Sequence, residues 1–221
     1  MHSTNTLLAV TVLATAAAAQ GQAYEPPGLV TMETLAERPH LATNSRALDI
    51  IRFWRDAGPA LWFAKDDAFD RRFRERFLFD HESAARGEYA QWQSTPEGAL
   101  ALILLLDQFP RNAFRGTPRM YDTDAMARKI ANTAFAAGYD RSLEKELRKF
   151  FVLPLGHSED LADQERAVAL ARRIAPDDLA HAEHHRDIVR RFGRFPHRNS
   201  ILQRASTKEE IDYLATGGYT G

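Results

Sequence analysis

Three groups of polar residues have the types and spacing to do chemistry. The first is Asp107-Gln108 with Arg111-Asn112. The second is His157-Ser158-Glu159-Asp160. The third is Arg194 with His197-Arg198-Asn199, preceded by His185. Arginine offers a rigid fork of donors that matches a carboxylate or phosphate, so Arg111, Arg194 and Arg198 would clamp a small anionic ligand or a peptide carboxylate. Gln108, Asn112 and Asn199 add amide groups beside them. Histidine titrates near neutrality, so His157 or His197 could move a proton, oriented by Asp107 or Glu159.

The same residues support a structural reading. Asp107, Glu159 and Asp160 could pair with these arginines and only tie helix ends together. No nucleophile signature accompanies the histidines. Ser158 has no G-x-S-x-G context and reads first as a helix cap. His181 and His185 are four apart, a workable metal-ligand spacing, but the pair lacks the glutamate of H-E-x-x-H, and no metal is expected. No GxGxxG and no GxxxxGK[ST] occurs, so no nucleotide cofactor is expected.

The elements that position these groups read as helices. Thr95 caps, Pro96 suits the first helical position and Glu97 suits the positive end. Ala99 to Leu106 is then apolar on every side, as in a helix buried at the centre of a domain. Asp107 falls where that helix should end, against the macrodipole, so it needs a cationic partner. Before it, Ala47, Ile50, Ile51 and Trp54 mark one helix face, closed by Gly58-Pro59. Leu61-Trp62-Phe63 is an apolar bridge. Asp66-Asp67 opens a helix carrying Phe69, Phe73 and Phe77, and His81 to Trp92 reads as another. After it, Arg115-Gly116-Thr117-Pro118 is a turn and Asp122 to Ala137 a helix closed by Gly138. Leu143 to Phe151 is a short helix that breaks before Pro154. Ser158 caps a helix over Glu159 to Ile174, Pro176-Asp177 opens one running to Phe192, and Ser206-x-x-Glu209 is a capping box. Phe109-Pro110-Arg111-Asn112 and Phe195-Pro196-His197-Arg198-Asn199 are similar polar turns, each after a helix, that could face each other. Nothing reads as a strand.

The chain has 221 residues, 44% hydrophobic and 27% charged, the profile of a globular protein rather than a disordered one. Its net charge of -1 favours neither nucleic acid nor an anionic membrane. Cysteine is absent, which excludes disulfides and a cysteine nucleophile. Leu7 to Ala19 with Gln20-Gly21-Gln22-Ala23 has the form of a secretory signal over residues 1–23, although the first basic residue is Arg38. A functional signal there implies export to the periplasm; without one the chain belongs in the cytoplasm. Residues 24–43 contain Pro26, Pro27, Gly28 and Pro39 and read as a linker. Residues 44–221 read as a single α-helical domain.

Three long segments resemble the signatures of a bacterial domain-of-unknown-function family, number 924. They are Asp107 to Pro118 (DQFPRNAFRGTP), Leu153 to Glu165 (LPLGHSEDLADQE) and His185 to Asn199 (HRDIVRRFGRFPHRN). Trp62-Phe63 and the Gly-Gly-aromatic tail are similar too, so the resemblance spans Ala47 to Gly221. It implies an all-α, tetratricopeptide-like fold, a right-handed stack of antiparallel helix pairs, and it implies no activity. Gly156 stands where a larger residue often precedes HSE, and Gln203 where the family commonly has glycine. The reading is therefore a helical domain whose polar site takes a small anionic ligand or peptide carboxylate. The alternatives are a helical-repeat interaction scaffold and a hydrolase-like enzyme using histidine and carboxylate.

Overall fold

Thirteen residues after Asn44 show how the sequence writes its helices. Asn44 accepts from the Arg46 amide and starts α1, Ser45–Ala57, which buries the expected Ala47, Ile50, Ile51 and Trp54. Gly58, at φ 74°, ends α1 and leads into the short α2, Pro59–Trp62. The computed structural model describes residues 44–221; the leader and linker expected over 1–43 lie outside the described residues. The described residues are all-helical, with no strand among them, and fall within one compact unit. No helix among them is long and apolar enough to cross a membrane.

α3, Asp67–Ala85, is capped by Asp66 and runs through His81 without a break. The second helix expected from His81 to Trp92 is therefore the end of α3, a reversal at Gly87 (φ 80°) and a 3₁₀ turn over Ala90–Ser94. Thr95 then caps α4, Pro96–Ile103, as its residues predict. All of Gly98 to Ile103 is buried, so α4 is the central post.

The post does not stop where an aspartate would oppose its dipole. It continues as a π turn over Leu104–Gln108 and then as α5, Phe109–Ala113. Pro110 explains the widening. It has no N–H to give the Leu106 carbonyl, and its ring would strike that carbonyl in a tight α turn. The carbonyls set free find side chains: the Thr123 hydroxyl donates to Leu106 O (2.6 Å), His81 Nδ1 to Leu105 O (2.8 Å) and Arg111 to Asp107 O (2.6 Å). The site's first cluster thus lies inside a bent helix, not after one.

α6, Asp124–Ala136, is closed by Gly138 in the left-handed region, as expected. The helix expected over Leu143–Phe151 is instead a 3₁₀ turn followed by α7, Lys149–Gly156, with Pro154 inside it. Nearly all of α7 is buried, and that packing outweighs the helix-breaking tendency of Pro154. Asp160, not Ser158, caps α8, Leu161–Ile174. α9, Leu179–Phe192, ends at Gly193 (φ 70°). The capping box of α10, Lys208–Ala215, is Thr207 with Glu210, one residue later than Ser206 and Glu209. Gln203 has φ 54°, the left-handed backbone that glycine adopts easily, at the position where glycine is common in the resembling family.

Along the second half, α6 packs on α7, α7 on α8 and α8 on α9. An aromatic core unites the first half with α7: Trp54 stacks on Trp62, and Phe150 meets both edge-on. This core fixes α7, whose end carries the second polar cluster.

Candidate functional site

The π turn points Asp107 into the protein rather than out of it. Asp107 is 0% exposed. Its carboxylate accepts from Gln108 Nε2 (2.6 Å) and His157 Nδ1 (2.8 Å) and lies 3.3 Å from Arg111. Burial alone would raise its pKa, but the Arg111 and His157 contacts hold it down at about 2. Arg111 is shared, since it also grips Asp124 with both nitrogens at 2.8 and 3.0 Å. Asp107 and Asp124 keep that guanidinium charged despite its burial. The cationic partner that the sequence demands for Asp107 is thus its own neighbour one turn on.

His157 sits at the C-terminal cap of α7. The segment after it is pinned by fully buried Gln164, which donates to Gly156 O (2.8 Å) and Ser158 O (2.6 Å). Because Nδ1 of His157 donates to a carboxylate, its proton is there, and Nε2 carries a bare lone pair in the neutral ring. Burial and the Arg111 charge push its pKa down, against the pull of Asp107, so the pair is a neutral imidazole beside an ionised aspartate. His185, on α9, repeats the pattern: Nδ1 donates to Gly156 O at 3.0 Å, and buried Nε2 has no partner. Burial, with His181 and His157 nearby, lowers its pKa to about 2. His197 has a buried, unpartnered Nδ1, and burial and Arg198 lower its pKa to about 4. Tyr219 packs among these rings, 4.8 Å from His185 and 5.1 Å from His197.

Arg198 follows the α9 turn and is 7% exposed. Its guanidinium lies 4.7 Å from the ring centre of Tyr121 and 4.5 Å from that of Phe195. Nε is buried without a partner, and no hydrogen bond reaches the guanidinium among the described residues. Its contact with a carboxylate is to Asp124 at 3.9 Å, an oxygen already taken by Arg111. Burial and Arg111 lower its pKa.

These groups surround a partly open pocket of about 510 Å³. Of the arginines, amides, His157, His197, Asp107 and Glu159 expected to form the site, Gln108, Arg111, Asn112, His157, His197 and Arg198 line it, joined by His185. Asp107 stands behind His157. The other three lie outside the lining and are committed elsewhere. Arg194 grips buried Glu210 at 2.6 and 2.8 Å. Glu159 is held by Arg204 (2.6 and 2.9 Å) and accepts from the Phe195 amide, and Arg204 contributes to holding its carboxyl below its ordinary range. Asn199 bonds Arg204, Ser206 and Glu210. They brace the loop that presents His197 and Arg198. The two Phe-Pro segments meet through Asp124, which touches both Arg111 and Arg198.

Sequence reasoning did not place Asp124 or the apolar lining, which includes Trp62, Phe63, Met120, Tyr121 and Tyr219. The Trp62-Phe63 pair was the available signal. His181 and His185 both face the pocket, yet among the described residues no group of three His, Asp or Glu is placed to hold a metal ion. A Cβ at Gly156 would meet nothing within 4 Å, so a larger side chain fits there.

Comparison with known proteins follows the same outline. A family model described as a bacterial protein of unknown function, DUF924, matches residues 50–218. A solved structure of a protein of unknown function from Agrobacterium tumefaciens is 53% identical, with a TM-score of 0.77 over 78% of this chain and 98% of that one. No curated protein matches.

Proposed function

We infer that this chain, which belongs to the DUF924 family of bacterial proteins, binds a small anionic ligand, foremost a carboxylate, in the pocket between α5, α7 and α9. The observation that carries this is Arg198. A largely buried guanidinium with no hydrogen bond, whose nearest carboxylate oxygen lies 3.9 Å away and is already held by Arg111, is under-satisfied, and such a group is rarely tolerated without a use. The flanking rings hold its plane in place, so its fork is organised before any anion arrives. Arg111 is the contrasting case, already satisfied by Asp124 and Asp107. The anion reading thus narrows from three arginines to one, and the apolar lining suits a ligand with a hydrophobic body or a peptide end. Thermal denaturation across a set of small carboxylates, phosphates and matched neutral amides tests it. At a hundred times Kd a true ligand adds about 2.7 kcal/mol, or about 5–10 °C in Tm. A set in which amides stabilise as well as carboxylates refutes it.

A second reading has its own observation. Asp107 holds Nδ1 of His157, and His157 lines the pocket with no hydrogen bond on Nε2, the arrangement of an oriented general base. Hydrolytic activity lost in His157→Gln but retained in His197→Gln would support it. Consecutive packing of α6 to α9 supports the finer fold reading, a tetratricopeptide-like right-handed stack of antiparallel helix pairs. On that reading the pocket lies within the stack rather than along an open scaffold groove.

A further inference from the structure

The pocket offers its ligand the Arg198 fork and, in His185 and His157, two rings whose open nitrogens can only accept. His185 gives its Nδ1 proton to Gly156 O and His157 gives its own to Asp107, so each neutral ring turns a bare Nε2 on its other side. Nε2 of His185 is buried and meets no donor. The two rings lie 6.4 Å apart and both line the pocket. A plain carboxylate has no proton to offer them. It would satisfy Arg198 and leave a buried acceptor unmet, the situation that folded proteins and their ligands avoid. Phe195 ties the two demands together in space: His185 packs 5.2 Å from its ring and Arg198 4.5 Å from the same ring. The carboxylate and the donor can therefore be carried by one small molecule.

We propose that the ligand is a carboxylic acid bearing an O–H or N–H donor close to its carboxylate, a hydroxy or amino acid, with Arg198 holding the carboxylate and His185 and His157 accepting from the donor. This rests on the reading of Arg198 as the anion receptor. It adds a specificity that Arg198 alone cannot supply, because a site built to accept a hydrogen bond rejects the analogue that lacks it more strongly than an apolar pocket rejects a missing methylene.

Matched pairs test it by titration calorimetry on the full chain at pH 7: propanoate with lactate, and 3-phenylpropanoate with 3-phenyllactate and phenylalanine. Within at least one pair the donor-bearing acid is expected to bind about tenfold or more tightly than the plain acid. His185→Phe, which keeps a ring of similar size, is expected to bring that ratio towards one while the plain acid still binds. Equal affinities within every pair on the natural chain overturn this inference and leave the carboxylate reading standing. Absence of binding by all five acids overturns both. A donor preference that survives unchanged in folded His185→Phe and in His157→Phe overturns the assignment to these rings. Should a variant fail to fold, the ratio on the natural chain decides.

Discussion

Asp107→Asn probes the buried charge on which the site is assembled. The carboxylate is fully buried and touches Gln108, His157 and Arg111 at 2.6, 2.8 and 3.3 Å. Held from 3.8 down to about 2, its ionised form is worth about 2 kcal/mol of stability at neutral pH. The folded carboxyl binds its proton less tightly than the unfolded one. That stabilisation is therefore fully present above about pH 4 and lost as the pH falls towards 2. Asparagine keeps the shape and removes the charge, and Arg111 retains Asp124. The variant should be less stable by about 2 kcal/mol at pH 7, or about 4–8 °C in Tm. Urea unfolding of both proteins at pH 7, 5, 4, 3 and 2 measures the gap, which should stay constant down to pH 4 and then narrow. A variant as stable as the natural chain at pH 7, or a gap that persists unchanged to pH 2, would refute the account of Asp107 as an ionised centre.

Other expectations separate the parts of the structure. Thr123→Val keeps the side-chain shape but leaves the Leu106 carbonyl of the π turn without its 2.6 Å donor, so urea unfolding should show a loss of about 1–2 kcal/mol. His185 stays neutral in the folded chain down to about pH 2, whereas unfolded histidine protonates near 6.5. The natural protein thus loses stability as pH falls below 6.5, and between pH 7 and 5 His185→Phe should lose about 2 kcal/mol less than the natural chain does. Arg194→Ala removes the charged partner of buried Glu210 and should lower the urea unfolding midpoint, yet leave any ligand-induced Tm shift intact. Loss of the shift in a folded Arg194→Ala would contradict its position outside the pocket.

How far the residues alone reach depends on the distance over which partners are chosen. Local rules worked where the chain decides locally. The 3.6-residue spacing of Ala47, Ile50, Ile51 and Trp54 marks a buried face, and Thr95, Asp66, Gly138 and Gly193 begin or end helices as their chemistry dictates. The same rules mislead at Pro110 and Pro154. There proline stays inside a helix, because Thr123, His81 and Arg111 satisfy the carbonyls that the Pro110 turn releases and dense burial holds the Pro154 turn. Ser158 and Asp160 are both credible caps, and only the fold chooses Asp160. Each polar cluster sends part of itself to the pocket, Arg111 from the first, His157 from the second and His197 with Arg198 from the third, while Glu159, Arg194 and Asn199 turn to other partners. Which arginine is left free is a tertiary matter. It depends on Glu210 reaching Arg194, Arg204 reaching Glu159 and Asp124 reaching Arg111, contacts spanning 13 to 45 residues. Asp124 carries no mark in the sequence beyond a place in the first turn of α6.

The most direct test concerns Arg198 itself, through paired Tm measurements of the natural chain and Arg198→Met with and without a stabilising carboxylate. Methionine fills a similar volume without a charge, and Asp124 keeps Arg111. Because the guanidinium is largely buried, meets no hydrogen bond and has only a 3.9 Å contact with an Asp124 oxygen that Arg111 already holds, the unliganded variant should be as stable as the natural protein or more so, and the carboxylate-induced shift should vanish. A variant that loses several degrees without ligand, or that still responds to the carboxylate, would contradict the claim that this arginine is kept for an anion.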